Sequence, residues 1–325
     1  MSTLGIVAIG RNEGARLAEC LRSVADSQCP VVYVDSGSSD GSPELARTLG
    51  ADVLELDPAR PFSAARARNE GLRRLLSKHP GIQFVQFVDG DCRIASGWLR
   101  RGALYLSSHP EVAVVCGRLR ERYPERSIYN ALCDMEWDQP QGATRTFGGI
   151  IVVRVSAFDG VRGFREDVVA GEEPELAIRL RRAGWTSWRL QDEMATHDAG
   201  ITRFSQWWLR AVRYGHASAQ LASLHARSGE SSLVRGVASA WVWAAGIPLA
   251  ACIAWLLGGS AAAALCLAAY PLQVARLALG GNASARRSWS RALFLVIGKF
   301  AEAWGQARFA VRDLGGAAPR IIEYK

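Results

Sequence analysis

Residues 84–92 have the sequence Phe-Val-Gln-Phe-Val-Asp-Gly-Asp-Cys, in which an apolar run ends in two carboxylates, Asp89 and Asp91. Short apolar runs bounded by Gly, Asp or Pro are typical of buried strands. We therefore predict a strand over residues 84–88, with both carboxylates at its end. Hard divalent cations such as Mg²⁺ and Mn²⁺ bind carboxylate oxygens together with substrate phosphates. The pair thus indicates a nucleotide diphosphate site, and the alternative is that Asp and Gly form an ordinary turn.

The alternation of short apolar runs and amphipathic segments continues on both sides of this stretch, up to about residue 200. It predicts an α/β fold with a Rossmann-like, mostly parallel sheet flanked by helices. The other predicted strands cover residues 5–9, 31–34 and 51–56, and the predicted helices cover residues 15–27, 43–49, 63–77, 96–107 and 173–183. Ligands bind such sheets beyond the carboxyl ends of the strands, which here are the loops that open with Arg11, Asp35 and Asp89.

Composition and missing motifs exclude several classes of protein. A hydrophobic fraction of 49% over 325 residues supports a sizeable core and excludes a disordered or fibrous chain. The sequence has neither a P-loop nor a Gly-x-Gly-x-x-Gly motif after the first predicted strand, which argues against an ATPase and a dehydrogenase. The seven cysteines occur singly, without Cys-x-x-Cys or zinc-ligand spacing. Neither disulfides nor a zinc site is therefore indicated, and a reducing, cytosolic setting fits best.

The C-terminal third of the sequence indicates contact with a membrane. The net charge of +8 favours an anionic partner. Because the basic residues are dispersed and flank long apolar stretches, acidic lipid is favoured over nucleic acid. Residues 236–257 carry no charge over a length that spans a hydrocarbon core, so we predict a transmembrane helix there. Residues 260–278 are a second candidate span, with a buried or re-entrant helix as the alternative.

Flanking residues predict how these spans are oriented. Arginines precede the first span and follow the second in the sequence, and the pair Gly258-Gly259 separates the two spans. This pattern predicts a hairpin with both ends in the cytoplasm. Residues 289–313 are predicted to form an amphipathic helix in the head-group region, or else a helix packed against the soluble domain. The N-terminus lacks the basic region of a signal peptide, so the preceding domain is expected on the cytoplasmic face of the inner membrane.

Polar clusters elsewhere are candidates for chemistry. The loop of small residues between Asp35 and Asp40 suits close approach to a base and a ribose, although Asp40 also suits the start of a helix. Glu172 and Glu173 open a predicted helix, where they either offer a general base or only favour the helix dipole. His197 is a candidate for binding a metal or a phosphate, and its alternative is a structural role.

Three further segments carry weaker signals. Arg210 and Arg213 lie one helical turn apart and would suit the two charges of a diphosphate. The segment Arg68-Asn-Glu-Gly71, considered alone, is expected at the surface of an amphipathic helix. Gly148-Gly149 would let the backbone approach a sugar, or would form a turn.

In chain order, these features resemble the family 2 glycosyltransferases, which are inverting enzymes of the GT-A fold. The matching segments are Ile9-Gly-Arg-Asn-Glu13, Val34-Asp-Ser-Gly-Ser-Ser-Asp-Gly-Ser42, Arg68-Asn-Glu-Gly71, Asp89-Gly-Asp91, Gly148-Gly149 and Glu172-Glu-Pro-Glu-Leu176. The resemblance covers about residues 4–215, and it implies that residues 1–230 are the catalytic domain and residues 231–325 a membrane-associated helical region.

The resemblance also implies roles for individual residues. It implies a nucleotide-sugar site formed by Asn12, Glu13, Asp35, Asp40, Arg68, Asp89 and Arg213. Asp89 is similar to the acid that meets the ribose, and Asp91, with His197, to the residues that hold Mg²⁺ or Mn²⁺ on the diphosphate. Glu173 is similar to the catalytic base. The family usually has Glu-Asp at this point, so the Glu172-Glu173 pair leaves the choice of base open.

The sequence thus predicts a metal-dependent inverting glycosyltransferase of the hexosyltransferase type (EC 2.4), with a donor of the UDP or GDP type. The acceptor is expected to be a hydroxyl or phosphate group on a lipid-linked molecule of cell-envelope or polysaccharide biosynthesis. Two alternatives stay open, namely a sugar-phosphate nucleotidyltransferase and a catalytically silent membrane scaffold with the same fold. The first would need a Gly-rich, Arg-containing triphosphate loop, for which residues 10–14 are a poor match.

Overall fold

The computed structural model of the chain describes residues 3–168, 170–226, 230–280 and 285–314. The chain divides into two compact units. The first comprises Met1–Arg126, Cys133–Asp167 and Glu172–Gly200, and the second comprises Ser127–Leu132, Val168–Gly171 and Ile201–Lys325. The predicted domain boundary near residue 230 stays a prediction.

The first unit is an α/β domain. Its strands are β1 (Leu4–Gly10), β2 (Val31–Asp35), β3 (Asp52–Glu55), β4 (Phe84–Asp89), β5 (Cys92–Ile94), β6 (Val112–Glu121), β7 (Gly142–Ala143), β8 (Ile151–Arg154) and β9 (Thr186–His197). Its helices are α1 (Ala15–Val24), α2 (Ser42–Thr48), α3 (Ala64–Lys78), α4 (Trp98–Ser108), α6 (Val155–Gly160) and α7 (Glu172–Arg182), while α5 (Ile128–Trp137) contributes to both units. The predicted α/β class is confirmed.

The strands of the described chain form one sheet in the order β3-β2-β1-β4-β8-β6-β9-β5, with β7 paired to β9. β3, β2, β1 and β4 are parallel, as the alternation with α1, α2 and α3 requires. From β4 onward the sheet is mixed, because β8 runs antiparallel to both β4 and β6. The sequence pattern predicts a mostly parallel sheet, and this prediction holds for the half of the sheet that includes β1, β2 and β4.

The register of the parallel strands brings their carboxyl ends to one edge. Gly10 at the end of β1 pairs with Asp35, and Ile9 pairs with Asp89. The strand interiors are fully buried, including Ile6, Val7 and Phe87, so each strand is fixed in register by apolar packing on both faces. The loops that follow the three strands therefore start side by side.

The second unit is helical in its described residues. It contains α8 (Phe204–Leu224), α9 (Ser231–Trp241), α10 (Ile247–Leu267), α11 (Ala269–Leu279) and α12 (Ala285–Leu314), with a π-helical turn over Val242–Gly246. Helices α8 and α12 pack closely through glycines: a Cβ at Gly215 would overlap the backbone of Glu302, and one at Gly305 would overlap the backbone of Val212.

Among the described residues, one helical stretch, Ser232–Leu279, is long and apolar enough to cross a membrane by length and composition. It is interrupted at Gly259, whose φ of 76° and ψ of −170° are not helical. The Tyr270 hydroxyl donates to the Trp243 carbonyl over 2.6 Å. Since 27 residues of unbroken helix would extend about 40 Å, the chain reverses direction between these two residues. The break lies between the two predicted spans, and their crossing of a membrane stays a prediction.

Candidate active site

The loops after β1 and β2 are joined by a pair of hydrogen bonds. The backbone NH of Asn12 donates to Oγ of Ser38, and the NH of Ser39 donates to Oδ1 of Asn12, each over 2.8 Å. Asn12 has a φ of 55°, in the left-handed region that Asn tolerates better than most residues. Asn12 therefore shapes the joined loops, while Glu13, next along the chain, forms an ion pair of 2.8 Å with Arg16.

Asp35 organises the loop after β2 from within. Its side chain is buried, and Oδ2 accepts the backbone NH groups of Gly37 and Ser38 over 2.9 and 2.7 Å. Oδ1 accepts the hydroxyls of Tyr33 and Ser38 over 3.0 and 2.5 Å. Burial, with the charge of Asp35 second, raises the pKa of the Tyr33 hydroxyl, which therefore stays a donor. The buried carboxylate therefore fixes the shape of this loop from inside.

Asp40 lies exposed at the start of α2. Its Oδ1 accepts the hydroxyl of Ser42 over 2.6 Å and the NH of Ser42 over 3.0 Å. These hydrogen bonds, the hydroxyl's first, lower the pKa of Asp40. The alternative that Asp40 begins a helix is thus present in the structure, and the second oxygen of this exposed carboxylate lies near Gly14 of the loop after β1.

Arg68 is buried, with 2% of its surface exposed. It lies at the centre of a group of charged side chains in the first unit, which we call the polar edge and which comprises Arg68, Asp89, Glu172 and Glu173. Its Nη2 donates to Oδ1 of Asp89 over 2.9 Å, and its Nη1 donates to Oε1 of Glu172 and of Glu173 over 3.0 and 3.2 Å. The guanidinium also lies over the ring of Phe164, 5.4 Å from its centroid. The prediction that this segment of α3 is at the surface is therefore wrong: Arg68 points inward because three carboxylates compensate its buried charge.

The neighbours of Arg68 on α3 fix this helix in place. Asn69 donates to the carbonyl of Phe164 over 2.8 Å and accepts the NH of Phe164 over 3.0 Å. A Cβ at Gly71 would lie 2.5 Å from a methyl of Val7. Close approach of α3 to β1 therefore requires a glycine at this position.

Glu172 and Glu173 begin α7 and face the same guanidinium. The side chain of Glu172 is 7% exposed and that of Glu173 is 16% exposed. Burial and the charge of Glu172 raise the pKa of Glu173 to about 7, although Arg68 opposes the shift. Glu175 is instead fully buried and forms an ion pair of 2.6 Å with Arg179. The acidic run thus contains one structural pair and one carboxyl group whose proton is poised near neutral pH.

Gly149 makes room for this arrangement. A Cβ at Gly149 would overlap Nη2 of Arg68 and lie 3.0 Å from Oε1 of Glu173, whereas a Cβ at Gly148 would meet nothing within 4 Å. Sequence reasoning singles out both glycines without distinguishing them. Only Gly149 is required by the packing of the polar edge.

Asp91, Cys92 and His197 bring a carboxylate, a thiol and an imidazole together, with their ligand atoms within 4.8 Å of one another. Strands β5 and β9 run antiparallel, with Cys92 opposite His197. Oδ2 of Asp91 lies 3.1 Å from Nε2 of His197, and the Cys92 thiol donates to Oδ1 of Asp91 over 3.5 Å. Carboxylate and imidazole are donors that divalent cations such as Mn²⁺ accept, so the chemistry of this donor set fits a metal ion.

Two residues that the sequence does not point to lie beside His197. Trp137 stacks on its ring, with centroids 4.9 Å apart. Glu121 lies opposite His197 in the pairing of β6 with β9 and accepts the backbone NH groups of Tyr123 and Ala199 over 3.0 and 2.9 Å. Burial raises the pKa of Glu121. No sequence signal links either residue to His197, since the contacts depend on strand register.

Arg213 lies on α8 in the second unit, as does Arg210. The first unit brings Asp89, Arg68 and Glu173 into one hydrogen-bonded group, and Asp91 and His197 into another. The predicted contact of Arg213 with a diphosphate stays a prediction.

Comparison of the sequence with known proteins identifies related glycosyltransferases. Residues 6–165 match the sequence profile of glycosyl transferase family 2. Glycosyltransferase AglE of Haloferax volcanii is 26% identical over 204 residues, which are 58% of this chain and 64% of that protein. A pre-mycofactocin glycosyltransferase of Mycobacterium tuberculosis is 30% identical over 249 residues, which are 71% of this chain and 50% of that protein.

A solved structure supports the fold. A mannosyltransferase of Pyrobaculum calidifontis, solved in complex with GDP-Man and Mn²⁺, superposes with a TM-score of 0.57 at 20% identity, over 96% of this chain and 87% of that one. The chain spans between half and two thirds of the length of the two relatives above. The sheet of the first unit is of the GT-A type, as predicted. On the matched residues, the chain contains a glycosyl transferase family 2 domain over residues 6–165.

Proposed function

We propose that the chain transfers a sugar, with inversion, from a nucleotide-diphosphate sugar of the UDP or GDP type to a hydroxyl or phosphate acceptor, with Mg²⁺ or Mn²⁺ as cofactor. The observation that carries the proposal is the group formed by Arg68 with Asp89, Glu172 and Glu173. The buried guanidinium of Arg68 contacts Asp89, at the end of β4, and the carboxyl groups of Glu172 and Glu173, at the start of α7. Glu173 and Asp89 thus bind two nitrogens of the same guanidinium, so a candidate acid-base residue lies near the end of β4.

The donor side is supported by the loops after β1, β2 and β4. Asp35 fixes the shape of its loop, and Asn12 joins that loop to the preceding one by hydrogen bonds. Backbone and small side chains at the carboxyl ends of parallel strands are suited to a base and a ribose. We assign Asn12, Glu13, Asp35, Asp40 and Asp89 to the nucleotide, with Asp35 and Asn12 acting mainly through loop shape. Arg68 acts as the residue that positions Asp89.

Glu173 is the proposed catalytic base. Its pKa of about 7 lets it accept a proton at neutral pH, and a base is most effective when its pKa lies near the working pH. It would take the proton of the acceptor hydroxyl as that oxygen attacks the anomeric carbon and the sugar-phosphate bond breaks. Glu172 is less exposed and lies closer to Arg68, so we assign it to holding the guanidinium.

Asp91 and His197 would hold the cation. When bound, a divalent cation supplies positive charge that stabilises the departing diphosphate. The mannosyltransferase with a similar fold was solved with GDP-Man and Mn²⁺, which are a donor and a cation of the proposed classes. Asp91 is buried and anchored between β5 and β9, so it offers its carboxylate in a fixed position. We place Arg213 near the diphosphate on resemblance alone.

For the acceptor, we propose a lipid-linked molecule of cell-envelope or polysaccharide synthesis, with the first unit on the cytoplasmic face of the inner membrane. The apolar stretch Ser232–Leu279 supports this proposal by length and composition. The acceptor proposal predicts that the purified enzyme glycosylates lipid-linked acceptors in preference to soluble ones. Efficient use of soluble acceptors, with lipid-linked ones ignored, would contradict it.

Calorimetry with UDP and GDP, each with and without Mn²⁺, tests the enzyme proposal. We expect nucleotide binding that requires Mn²⁺ and that is lost in Asp91→Ala. If no nucleotide binding depends on metal, the glycosyltransferase proposal fails and a silent scaffold is favoured. Consumption of a nucleoside triphosphate with a sugar phosphate would instead favour a nucleotidyltransferase.

A further inference from the structure

Cys92 adds a sulfur atom to the possible metal ligands Asp91 and His197, and Mg²⁺ does not favour sulfur as a ligand. Hard cations bind oxygen, whereas a thiolate favours Zn²⁺, Co²⁺ and related ions. Cys92 is almost fully buried, with 1% of its surface exposed, and its thiol points at the same carboxylate that the imidazole contacts.

The distances fit a small tetrahedral cation. Bond lengths of about 2.3 Å to sulfur and about 2.0–2.1 Å to nitrogen or oxygen place the ligand atoms of a tetrahedral zinc site about 3.3–3.6 Å apart. Here Oδ2 of Asp91 lies 3.1 Å from Nε2 of His197, the other oxygen, Oδ1, lies 3.5 Å from the sulfur of Cys92, and one ligand atom from each of the three residues lies within 4.8 Å of the other two.

The backbone around these three residues is fixed. Cys92 and His197 are cross-strand partners, the NH of Asp198 donates to the carbonyl of Asp91, and Trp137 covers the imidazole ring. Outer contacts of this kind orient metal ligands and are important for affinity. Three donors with a fourth position open are also the arrangement of catalytic zinc sites.

We propose that Cys92 is a third metal ligand, so that the Asp91, Cys92 and His197 site binds thiophilic divalent cations such as Zn²⁺ and Co²⁺ more tightly than Mg²⁺ or Mn²⁺. On binding, the S–H bond of Cys92 breaks, its proton passes to the buffer and a sulfur-metal bond forms, without any change of oxidation state. The inference rests on the proposed function for the role of Asp91 and His197. It adds that Zn²⁺ competes with Mn²⁺ for this site.

Absorption spectroscopy with Co²⁺ tests the proposal on the full chain. A thiolate bound to Co²⁺ gives a charge-transfer band in the near ultraviolet, which oxygen and nitrogen ligands alone do not give. We expect this band in the unsubstituted protein, and we expect Cys92→Ser to lack it. Cys116→Ser is the matched control, because Cys116 is equally buried in the same unit and donates instead to the carbonyl of Trp188, so it should keep the band.

Metal affinity gives a second measurement. Cys92→Ser should weaken Zn²⁺ binding by more than the roughly 10- to 100-fold that loss of an outer-shell partner causes, whereas Cys116→Ser should leave Zn²⁺ binding unchanged. A missing band in the unsubstituted protein would overturn the inference, as would a band that persists in Cys92→Ser. If either result overturns the inference but the unsubstituted protein still binds UDP or GDP only with Mn²⁺, the proposed function stands. If it is absent from the unsubstituted protein, the proposed function fails as well.

Discussion

At the scale of single residues, Arg68 concentrates more chemistry than any other side chain of the polar edge. It is buried, and its guanidinium lies within hydrogen-bonding distance of Asp89, Glu172 and Glu173. A buried charge that loses its partner is costly. The same guanidinium therefore both stabilises the fold and lowers the pKa of Glu173, against the larger effects of burial and of the charge of Glu172.

Replacing Arg68 should reveal the first of these roles. Arg68→Ala leaves three acidic groups without their shared partner, and loss of one member of a buried ion pair costs about 3–5 kcal/mol. We expect a correspondingly lower urea midpoint in equilibrium unfolding. Arg74→Ala is the control on the same helix, because Arg74 pairs with Asp52 at an exposed site and should change the midpoint little. Equal effects of the two substitutions would contradict a central role for Arg68.

Glu173→Gln should separate binding from turnover. Loss of a general base typically lowers the rate about 10²- to 10⁴-fold, while Mn²⁺-dependent nucleotide binding should persist. The raised pKa sets the sign of the pH dependence: below about pH 7 the carboxyl is protonated and cannot accept a proton, so turnover should rise with pH through about 7. The variant should lose this rise, and an unchanged pH profile would exclude Glu173 as the base.

At the scale of elements, the loop before β8 packs against side chains of α3 and α7 at Gly149. Gly149→Ala would place a methyl group on the guanidinium of Arg68, and overpacking of this kind costs about 1–3 kcal/mol. We expect lower stability and lower turnover. Gly148→Ala is the control, because a Cβ there meets nothing within 4 Å. If both variants behave alike, the polar edge is not packed as described.

The elements also explain how much the sequence could predict. Strands β1, β2 and β4 are continuous apolar runs with Asp or Gly at their ends, so their positions and common edge follow from local pattern. The burial of Arg68 could not be foreseen, because its partners lie more than 100 residues away at Glu172 and Glu173. The Cys92 contact was equally hidden, since it depends on the pairing of β5 with β9.

At the scale of the whole molecule, the apolar stretch Ser232–Leu279 and the net charge of +8 predict different modes of membrane binding. Charge alone gives binding that falls with salt, because screening shortens its range. Insertion of an apolar helix is insensitive to salt. We therefore expect the full chain to stay in the membrane fraction after washes at high salt and at alkaline pH, and release by high salt would contradict insertion.

Charged substitutions in the stretch sharpen this test. Leu249 and Ile253 are exposed on α10, and a lysine at the centre of a spanning helix costs about 2.5–3.5 kcal/mol. The double variant Leu249→Lys, Ile253→Lys should shift protein from the membrane fraction to the wash. Leu104→Lys is the matched control, because Leu104 is equally exposed on α4 of the first unit and should not alter the distribution. If the double variant stays in the membrane as firmly as the control, α10 does not cross it.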